Sequence, residues 1–433
     1  MALAKYYSLY DKVYKWSNLQ KAFANVKKNK GAPGIDHVTI QNYELDLEDN
    51  LGVLQEKLRT KSYKPLPVRR TYIEKEDRGK KRPLGIPAVE DRIVQAALRQ
   101  IIEPIFEEDF LPCSYGFRPK RSAHMAIDQV SAYLKEDYTY VIDADLQSYF
   151  DTIPHDQLET CIRKRIVDGS IINLIHLFLK AGVMEDGSVK EGKEGTPQGG
   201  VISPLLSNIY LHQLDELMTK RGHRIVRFAD DFIVLCRSAK GSERVMRGIK
   251  KYVENDLRLT VHPTKSVIVN AEEEPFTFLG YEFYRNYRGI APKKEKTFKE
   301  KVKRLTRRNQ TLNIEVLVDD ILNPYLRGWA NYFRFGHVAT KFKKWDAWIR
   351  RRLRMVQLRS WRNRNSLYRV LRKKGWNEES LHPIRMTAWR SSKTHMVHTA
   401  LDNSYFEEIG LVSLRTIYEE RYSKKNNREE PHA

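Results

Sequence analysis

The chain of 433 residues is poor in cysteine, with only Cys113, Cys161 and Cys236, which lie far apart. No Cys-x-x-Cys pair is present, which argues against the common structural zinc sites and against a disulfide framework. The sequence also lacks any run of about 18 apolar residues, the length that a membrane span requires. The first residues, MALAKYYSLYDKVYKW, carry frequent charges and no apolar signal-peptide core. We therefore expect a cytoplasmic protein that does not associate with a membrane.

Acidic residues are scarce relative to basic ones. The chain has 77 Lys+Arg against 55 Asp+Glu, a net charge of +22 and a pI near 9.6. Such an excess repels itself in a folded chain, and a polyanionic partner relieves that repulsion. Nucleic acid is therefore the expected partner, and a basic amphipathic membrane binder is the weaker alternative. A hydrophobic fraction of 41% supports a buried core, and the length predicts two or three folded units.

The spacing of apolar residues divides the chain into regions. Residues 1–65 are predicted to be helical around a turn at 30–36, KGAPGID. Residues 68–87 have two β-prone segments around a charged tip and predict a hairpin. Strands and helices then mix to residue 285 in an α+β manner. Beyond residue 292 the spacing is helical, Lys and Arg become denser, Trp recurs, and the last dozen residues are expected to be disordered.

Two adjacent aspartates, Asp230 and Asp231, lie between two β-forming segments in RIVRFADDFIVLC. Aspartate is common in turns, so closing a hairpin would explain both without any function. Neighbouring side chains on a regular strand point to opposite faces, so only a tight turn brings both near one site. Asp145 follows another β-rich segment, VIDADL. Carboxylates from two strand ends suit a pair of Mg²⁺ ions about 4 Å apart, which can activate a 3′-hydroxyl and stabilise leaving pyrophosphate.

Three further features fit nucleotidyl transfer, and each has an ordinary alternative as a surface cation or a turn. Lys75 and Arg82, on the predicted hairpin, offer cations for a triphosphate. The TPQGG segment, 196–200, lets backbone approach a ligand closely and contains Gln198, which can donate and accept hydrogen bonds. Lys265 in HPTKS is expected to begin a strand and could protonate pyrophosphate.

Together these motifs resemble the reverse transcriptase series and, more narrowly, the group II intron-encoded reverse transcriptases. The resemblance runs from about residue 20 to about residue 422. The segments that carry it are GAPGID at 31–36, RPLGIP at 82–87, SYGFRPKRSAHMA at 114–126, EGTPQGGVISPLLSNIYL at 194–211, FADD at 228–231 and YLRGWANYFR at 325–334.

The resemblance implies an α+β fold of the right-hand polymerase type, with fingers and palm between helical regions. The expected domains are an N-terminal helical extension at 1–66, fingers and palm at 67–285, an α-helical thumb and maturase (X) domain at 286–376, and a small basic, DNA-binding-like segment with a disordered tail at 377–433.

The resemblance also implies roles for the acids. Asp145, the Leu146 backbone carbonyl, Asp230 and Asp231 would bind two Mg²⁺ ions, with Mn²⁺ as an alternative metal. Asp143 would be structural or a helper. The family box usually begins with Tyr, whereas this chain has Phe228. The aromatic ring is kept and a hydroxyl is lost, so activity is expected to survive with altered fidelity.

Nucleotide contacts are implied in the same way. Phe150 would stack under the sugar and exclude a 2′-hydroxyl, which makes dNTPs the preferred substrates. Lys75 and Arg82 would contact the triphosphate, and Gln198 the nucleotide or template pair. Lys265 would be the general acid, and the FLGY segment, 278–281, would grip the primer.

Arginines crowd the C-terminal region, where they alternate with Trp345, Trp348 and Trp361. Cations beside aromatic rings suit structured RNA or a template–primer duplex, although core burial explains the tryptophans equally well. The predicted nucleic-acid-binding residues are Arg118, Arg327, Arg350, Arg351, Arg352 and Arg354.

The implied function is that of an RNA-directed DNA polymerase and intron maturase in the bacterial cytosol or nucleoid. Its partners would be intron RNA, an RNA template with a DNA primer, dNTPs and target DNA, and it would be a monomer or a homodimer. The absence of cysteine pairs and of a nuclease domain resembles the endonuclease-lacking group IIC class. One alternative is a domesticated relative in DNA repair or phage defence. The other is a non-catalytic RNA chaperone, and the presence of Asp145, Asp230 and Asp231 argues against that one.

Overall fold

The computed structural model describes residues 4–74, 81–185, 188–190, 194–196, 199–309 and 312–426. The chain divides into two compact units, Met1–Glu274 and Pro275–Ala433. Within the described ranges no helix combines the length and the apolar character needed to cross a membrane.

The first unit begins with helices, as the sequence predicts. Along the second of them Leu19, Ala22, Phe23 and Val26 are buried, which is the spacing of one helical face. This face packs against the fifth helix. The first five helices are α1 (Tyr10–Val13), α2 (Trp16–Lys28), α3 (Ile40–Leu45), α4 (Leu47–Arg59) and α5 (Val89–Glu107).

The predicted hairpin at 68–87 is confirmed. Strand β1 (Val68–Glu74) pairs antiparallel with β2 (Lys81–Ile86), with Ile73 opposite Arg82. On its other edge β1 pairs in parallel with β4, so the described strands follow the order β2-β1-β4-β5. The strands that complete this sheet are β4 (Val183–Glu185) and β5 (Ser188–Lys190).

A second sheet, in the order β6-β7-β3-β8, carries the candidate site. All three of its strand pairings are antiparallel. Its described strands are β3 (Tyr140–Ala144), β6 (Arg224–Phe228), β7 (Asp231–Cys236) and β8 (Val267–Asn270). The remaining helices of this unit are α6 (Ala123–Lys135), α7 (Tyr149–Thr152), α8 (His155–Arg163), α9 (Gly169–Lys180), α10 (Ser203–Lys220) and α11 (Ala239–Lys251), which a π-helical turn, Tyr252–Asp256, extends.

Two strand predictions are corrected. The segment at 259–269 forms a strand only from Val267, and Lys265 lies in the turn before β8. Pro263 in that segment cannot donate a ladder hydrogen bond. The segment at 276–283 is two strands rather than one, because Leu279 and Gly280 both have positive φ and turn the chain.

The second unit combines a small antiparallel sheet with helices. Its described strands are β9 (Phe276–Phe278), β10 (Tyr281–Tyr284) and β11 (Tyr287–Ile290). Its helices are α12 (Pro292–Leu305), α13 (Ile314–Val316) with the π-helical Leu317–Leu322, α14 (Asn323–Phe333), α15 (Ala339–Ser360), α16 (Arg364–Lys373), α17 (His395–Ala400), α18 (Asn403–Glu408) and α19 (Leu414–Asn426), with 3₁₀ turns at Glu378–Ser380 and Trp389–Lys393.

Aromatic side chains form the centre of the second unit. The Trp345 side chain is buried and stacks on Phe298 with ring centroids 4.6 Å apart, so core burial is the correct reading for this tryptophan. Tyr281 of β10 packs against Phe333 of α14, with centroids 5.1 Å apart. This contact joins the three-stranded sheet to the helices, which is why the break between compact units precedes residue 286.

The end of the chain is helical for longer than expected. Helix α19 continues to Asn426 and so includes residues 422–426, part of the segment predicted to be disordered. Residues 427–433 lie outside the described residues, and the prediction for them remains a prediction, as does the division into four functional domains.

Candidate active site

The two adjacent aspartates lie at a tight hairpin turn, as the sequence predicts. Phe228 of β6 pairs with Asp231 of β7, so Ala229 and Asp230 form a two-residue loop. Ala229 has a φ of +60°, a conformation that residues with a side chain seldom adopt. The turn thus has a strained backbone, which the surrounding structure must hold in place.

The Arg227 side chain stabilises the turn through buried hydrogen bonds. Its side chain is fully buried, and its Nε donates to Asp215 Oδ1 at 2.8 Å. Its Nη1 donates both to Asn208 Oδ1 and to the Ala229 carbonyl oxygen, each at 2.9 Å. Burial opposes the charge on Arg227, but the attraction of Asp215 outweighs it, so the pKa of Arg227 is raised.

Sequence reasoning missed this network. A signal was available, because Asn208 and Asp215 are seven residues apart on α10 and therefore share a helical face that is otherwise largely apolar. Buried polar side chains on such a face require partners.

A neighbouring segment runs alongside β6 and closes over the turn. Tyr115 N donates to the Arg227 carbonyl oxygen, and Arg227 N donates to that of Cys113, both at 2.8 Å. The Gly116 carbonyl accepts from Asn208 Nδ2 at 2.8 Å. A Cβ on Gly116 would lie 2.2 Å from Ala229 N. The glycine of SYGFRP is therefore required for this close approach of two backbones.

Acids from two strands meet at this end of the sheet. Ala144 pairs with Phe232 across β3 and β7, so the next residues toward the site are Asp145 and Asp231. Burial raises the pKa of the Asp143 carboxyl to about 6, and the negative charges of Asp231 and Asp145 contribute to this increase. The register thus places Asp145 next to Asp231, and Asp230 precedes Asp231 in the same turn.

Lys265 contacts one of these acids, Asp145. Its Nζ lies 2.9 Å from Asp145 Oδ2. The backbone around it is anchored to the Asp145 main chain, since His262 N donates to the Asp145 carbonyl oxygen at 2.8 Å and Asp145 N donates to Ser266 Oγ at 3.3 Å. Leu146 forms an isolated bridge with Val261. The placement suits the predicted general acid, although its role remains a prediction.

Phe150 is positioned by α7 and by a glycine from the EGTPQGG segment. The Phe150 side chain is buried and lies edge-on to Tyr149, with centroids 5.4 Å apart. Its carbonyl oxygen accepts from Thr196 N at 2.6 Å. Gly195 has a φ of +83°, and a Cβ there would lie 2.7 Å from the Phe150 oxygen. Gly195 and Thr196 therefore lie beside Phe150, the residue predicted to exclude a 2′-hydroxyl, and this close contact depends on the glycine.

Lys75 and Gln198, two of the predicted nucleotide contacts, lie outside the described residues. For Arg82 the structure gives only the backbone position, in β2 opposite Ile73. At the other end of the TPQGG segment, a Cβ on Gly199 would lie 2.1 Å from the Gly85 oxygen of β2. Gly199 therefore lies against strand β2 of the hairpin.

The acids fit a divalent cation by their chemistry, although they are not preassembled around one. Among the residues that the structure describes, no three His, Cys, Asp or Glu side chains are arranged to hold a metal ion, and Asp145 is paired with Lys265 instead. Carboxylate and carbonyl oxygens are the ligands that Mg²⁺ prefers. Burial is the main cause of the raised pKa of Asp143, and the negative charges of Asp231 and Asp145 add to it; a bound cation would neutralise that charge.

Two predicted nucleic-acid contacts are corrected. Arg118 is buried, its guanidinium binds the Glu107 carboxylate, and it also donates to the carbonyl oxygens of Leu111 and Ser114. Arg354 is also buried, and its Nε donates to the Leu401 carbonyl oxygen at 2.8 Å. Burial lowers the pKa of Arg354 to about 10. Both side chains have structural roles, because neither is presented at the surface.

The other predicted arginines differ in exposure. Arg327 is exposed on α14, whereas Arg350 and Arg351 are half-buried on α15. Arg352 donates from Nε to Thr306 Oγ1 at 2.6 Å, and its guanidinium lies 5.0 Å from the Trp389 ring centroid. Contact of these four residues with nucleic acid remains a prediction.

Comparison with known proteins agrees with the site. The family described as "Reverse transcriptase (RNA-dependent DNA polymerase)" matches residues 73–283, and the family described as "Group II intron, maturase-specific domain" matches residues 295–375. Protein YkfC of Escherichia coli (strain K12) is 37% identical over 297 residues, covering 59% of this chain and 77% of YkfC.

A second relative is the group II intron-encoded protein LtrA of Lactococcus lactis subsp. cremoris. It is 32% identical over 333 residues, covering 60% of this chain and 54% of LtrA, so the chain spans about half the length of that relative. Among solved structures, apo telomerase from Candida tropicalis has 13% identity and a TM-score of 0.46, covering 84% of this chain and 67% of that telomerase chain. From the two family matches and the extent of the match to YkfC, the chain belongs to the group II intron-encoded reverse transcriptases.

Proposed function

We propose that the protein copies RNA into DNA by two-metal-ion nucleotidyl transfer and assists the splicing of group II intron RNA. The observation that supports this proposal is the register of the β6-β7-β3-β8 sheet, in which Asp145 follows β3 beside the turn that contains Asp230 and Asp231, and Arg227 binds that turn.

The acids would hold the metal ions, and Lys265 would move a proton. Asp145, the Leu146 carbonyl, Asp230 and Asp231 supply oxygen ligands for two Mg²⁺ ions, with Mn²⁺ as an alternative. When bound, such ions activate the primer 3′-hydroxyl and stabilise charge on the leaving pyrophosphate. Lys265 Nζ lies 2.9 Å from Asp145 Oδ2, and from this position it would give a proton to a pyrophosphate oxygen.

Other residues select and orient the nucleotide. Phe150, buried against Tyr149, would pack under the sugar of the bound nucleotide, leave no room for a 2′-hydroxyl and so favour dNTPs. Lys75 and Arg82 would neutralise the triphosphate from the hairpin, and Gln198 would contact the nucleotide or the template base.

The positive charge of the chain supports polyanionic partners. At a net charge of +22, intron RNA, an RNA template with its DNA primer, and target DNA would all bind favourably. Arg327, Arg350, Arg351 and Arg352 are the proposed phosphate contacts in the second unit. The proposed location is the bacterial cytosol or nucleoid, where these partners occur.

Primer extension on an RNA template with Mg²⁺ tests the proposal. The wild-type protein should extend the primer, and Asp230→Ala should abolish extension because one metal ligand is lost. Asp49→Ala, on an exposed position of α4, serves as a matched control and should extend normally. A wild-type protein that binds intron RNA tightly without extending a primer would instead be an RNA chaperone. Intron domains in the flanking DNA would separate a maturase from a domesticated relative.

A further inference from the structure

Phe117, in the SYGFRP segment, is exposed between two buried residues. Its side chain is 46% exposed, whereas Arg118 is 8% exposed and Gly116 is buried. Phe117 also has a φ of +59°, a conformation that costs free energy for a residue with a side chain. Single exposed apolar side chains are common on protein surfaces, but a half-exposed ring held on an unfavourable backbone conformation is also suited to contact a ligand.

The residues on both sides fix this conformation. Gly116 is in backbone contact with Ala229, and its carbonyl accepts from Asn208. Arg118 binds Glu107 and the carbonyl oxygens of the preceding residues 110, 111 and 114. The phenylalanine between them has little backbone freedom. The contacts of Arg118 therefore restrict the backbone conformation of Phe117.

The contact of Gly116 places Phe117 beside the catalytic turn. Consecutive Cα atoms are about 3.8 Å apart, so the Phe117 Cα lies within roughly 8 Å of the Ala229 backbone by chain geometry. Ala229 immediately precedes Asp230. A nucleic-acid strand whose end is bound at the aspartates would therefore pass within reach of the Phe117 ring.

The residues that follow supply cations and a second apolar side chain. Lys120 is exposed, Arg121 lies over the Tyr115 ring at 5.7 Å, and Met125 is 40% exposed. An aromatic ring beside cations is the combination that binds nucleic-acid strands through base stacking and phosphate contact.

We propose that Phe117 is a stacking contact for the template–primer next to its reacting end. The inference rests on the proposed polymerase function and adds a residue that positions the nucleic acid. It also reassigns the contact in this segment, since the charged neighbour Arg118 faces inward and the apolar Phe117 is exposed. Lys120 and Arg121 of the same segment would contact phosphates of the nucleic-acid strand on which the Phe117 ring stacks.

Glycine is the decisive substitution because it removes the ring and relieves the backbone at once. Phe117→Gly should change the melting temperature only slightly, because relief of the positive φ offsets the lost packing of the ring and the added freedom of the unfolded chain. Its dissociation constant for an RNA–DNA template–primer should rise about tenfold, the effect of losing one stacking contact. The KM for dNTP should stay within about twofold of wild type, because the nucleotide contacts are elsewhere.

Two further variants complete the test. Phe117→Tyr keeps the ring and should bind template–primer within about twofold of wild type. Tyr7→Ala removes a ring that is 69% exposed in the same unit and should leave binding unchanged. Wild-type affinity in Phe117→Gly, or an equal loss in Phe117→Gly and Phe117→Tyr, would overturn the inference. Failure of the wild-type protein to extend a primer would refute the polymerase function itself, which is a separate readout from equilibrium binding.

Discussion

Arg227 Nη1 donates a hydrogen bond of 2.9 Å to the carbonyl oxygen of Ala229, the residue that precedes Asp230. The same guanidinium is bound to Asp215 of α10, so one buried side chain connects this helix to the turn that contains Asp230. The conformation of the turn is therefore stabilised by buried residues behind it.

Substitution of Arg227 should affect both stability and turnover. Arg227→Lys cannot reproduce the forked contacts and leaves Asp215 buried without its full set of partners. The expected loss is about 3–5 kcal/mol in the free energy of unfolding, the usual cost of breaking a buried ion pair. Where the variant is still folded, kcat should fall more than KM for dNTP changes. Urea unfolding and steady-state primer extension measure the two effects, and unchanged kcat in the folded variant would limit Arg227 to a stabilising role.

Replacement of Gly199 should disturb the contact with the hairpin. A Cβ at this position would lie 2.1 Å from the Gly85 oxygen, and φ is +111°, so Gly199→Ala should cost about 1–3 kcal/mol through overpacking and backbone strain. Gly52→Ala is the control, because nothing lies within 4 Å of its Cβ position in α4, and it should gain about 0.5–1 kcal/mol. Thermal unfolding measures both, and equal stabilities of the two variants would contradict the close approach.

Asp91 should make stability depend on pH. Burial raises the pKa of its carboxyl to about 7, although Tyr63 and Leu66 N donate hydrogen bonds to it. Because this pKa lies above the unfolded value, the folded state binds the proton more tightly. The contribution of Asp91 is most favourable at low pH and is lost as the pH rises from about 4 to about 7.

Asp91→Asn imitates the protonated carboxyl and isolates this contribution. The variant should be more stable than wild type at pH 8, and the difference should shrink as the pH falls toward about 5. Asp49→Asn, at an exposed position, provides the baseline. Urea unfolding across this range measures the difference, and parallel curves for Asp91→Asn and wild type would contradict the raised pKa.

Lys265 should contribute to turnover without contributing to stability. Its ion pair with Asp145 is largely exposed, with 64% of the lysine side chain accessible, and such pairs stabilise little. Lys265→Ala should lower kcat about 100-fold or more, as expected for loss of a general acid, and leave the melting temperature unchanged. Lys240→Ala, at an exposed position at the start of α11, is the control. A kcat for Lys265→Ala within about threefold of wild type would exclude the proton-transfer role.

Exposed arginines in the second unit should account for the salt dependence of RNA binding. Arg359 is exposed in the last turn of α15 and Arg362 just beyond it, and replacing both with Ala should weaken binding and flatten the plot of log K against log salt by about one unit per phosphate contact. Arg354→Ala should instead lower the melting temperature, because its guanidinium is buried against Leu401. Fluorescence anisotropy over a salt series distinguishes the cases, and an unchanged slope in the double variant would rule out phosphate contacts at these residues.

Local patterns predicted much of the site. The hairpin at 68–87, the turn that contains Asp230 and the proximity of Asp145 follow from β propensity, turn chemistry and the motif order. Burial of charge could not be predicted in the same way. Arg118, Arg227 and Arg354 carry charges that ordinarily face solvent, and only tertiary partners such as Glu107 and Asp215 make burial favourable. The strand expected around Lys265 was too long, because the apolar residues of the segment favoured a strand throughout and the effect of Pro263, which cannot donate a ladder hydrogen bond, was overlooked.

The strand order β6-β7-β3-β8 also constrains how the chain folds during synthesis. Strand β3 lies between two strands that the ribosome makes much later, since its neighbours are Asp231–Cys236 and Val267–Asn270. Until those segments emerge, both edges of β3 have unpaired backbone groups that can join another nascent chain. A fragment that stops before residue 267 would keep both turn aspartates and Asp145, yet it would lack the edge strand that covers β3. Premature termination in this gene would thus produce an aggregation-prone chain rather than a smaller enzyme.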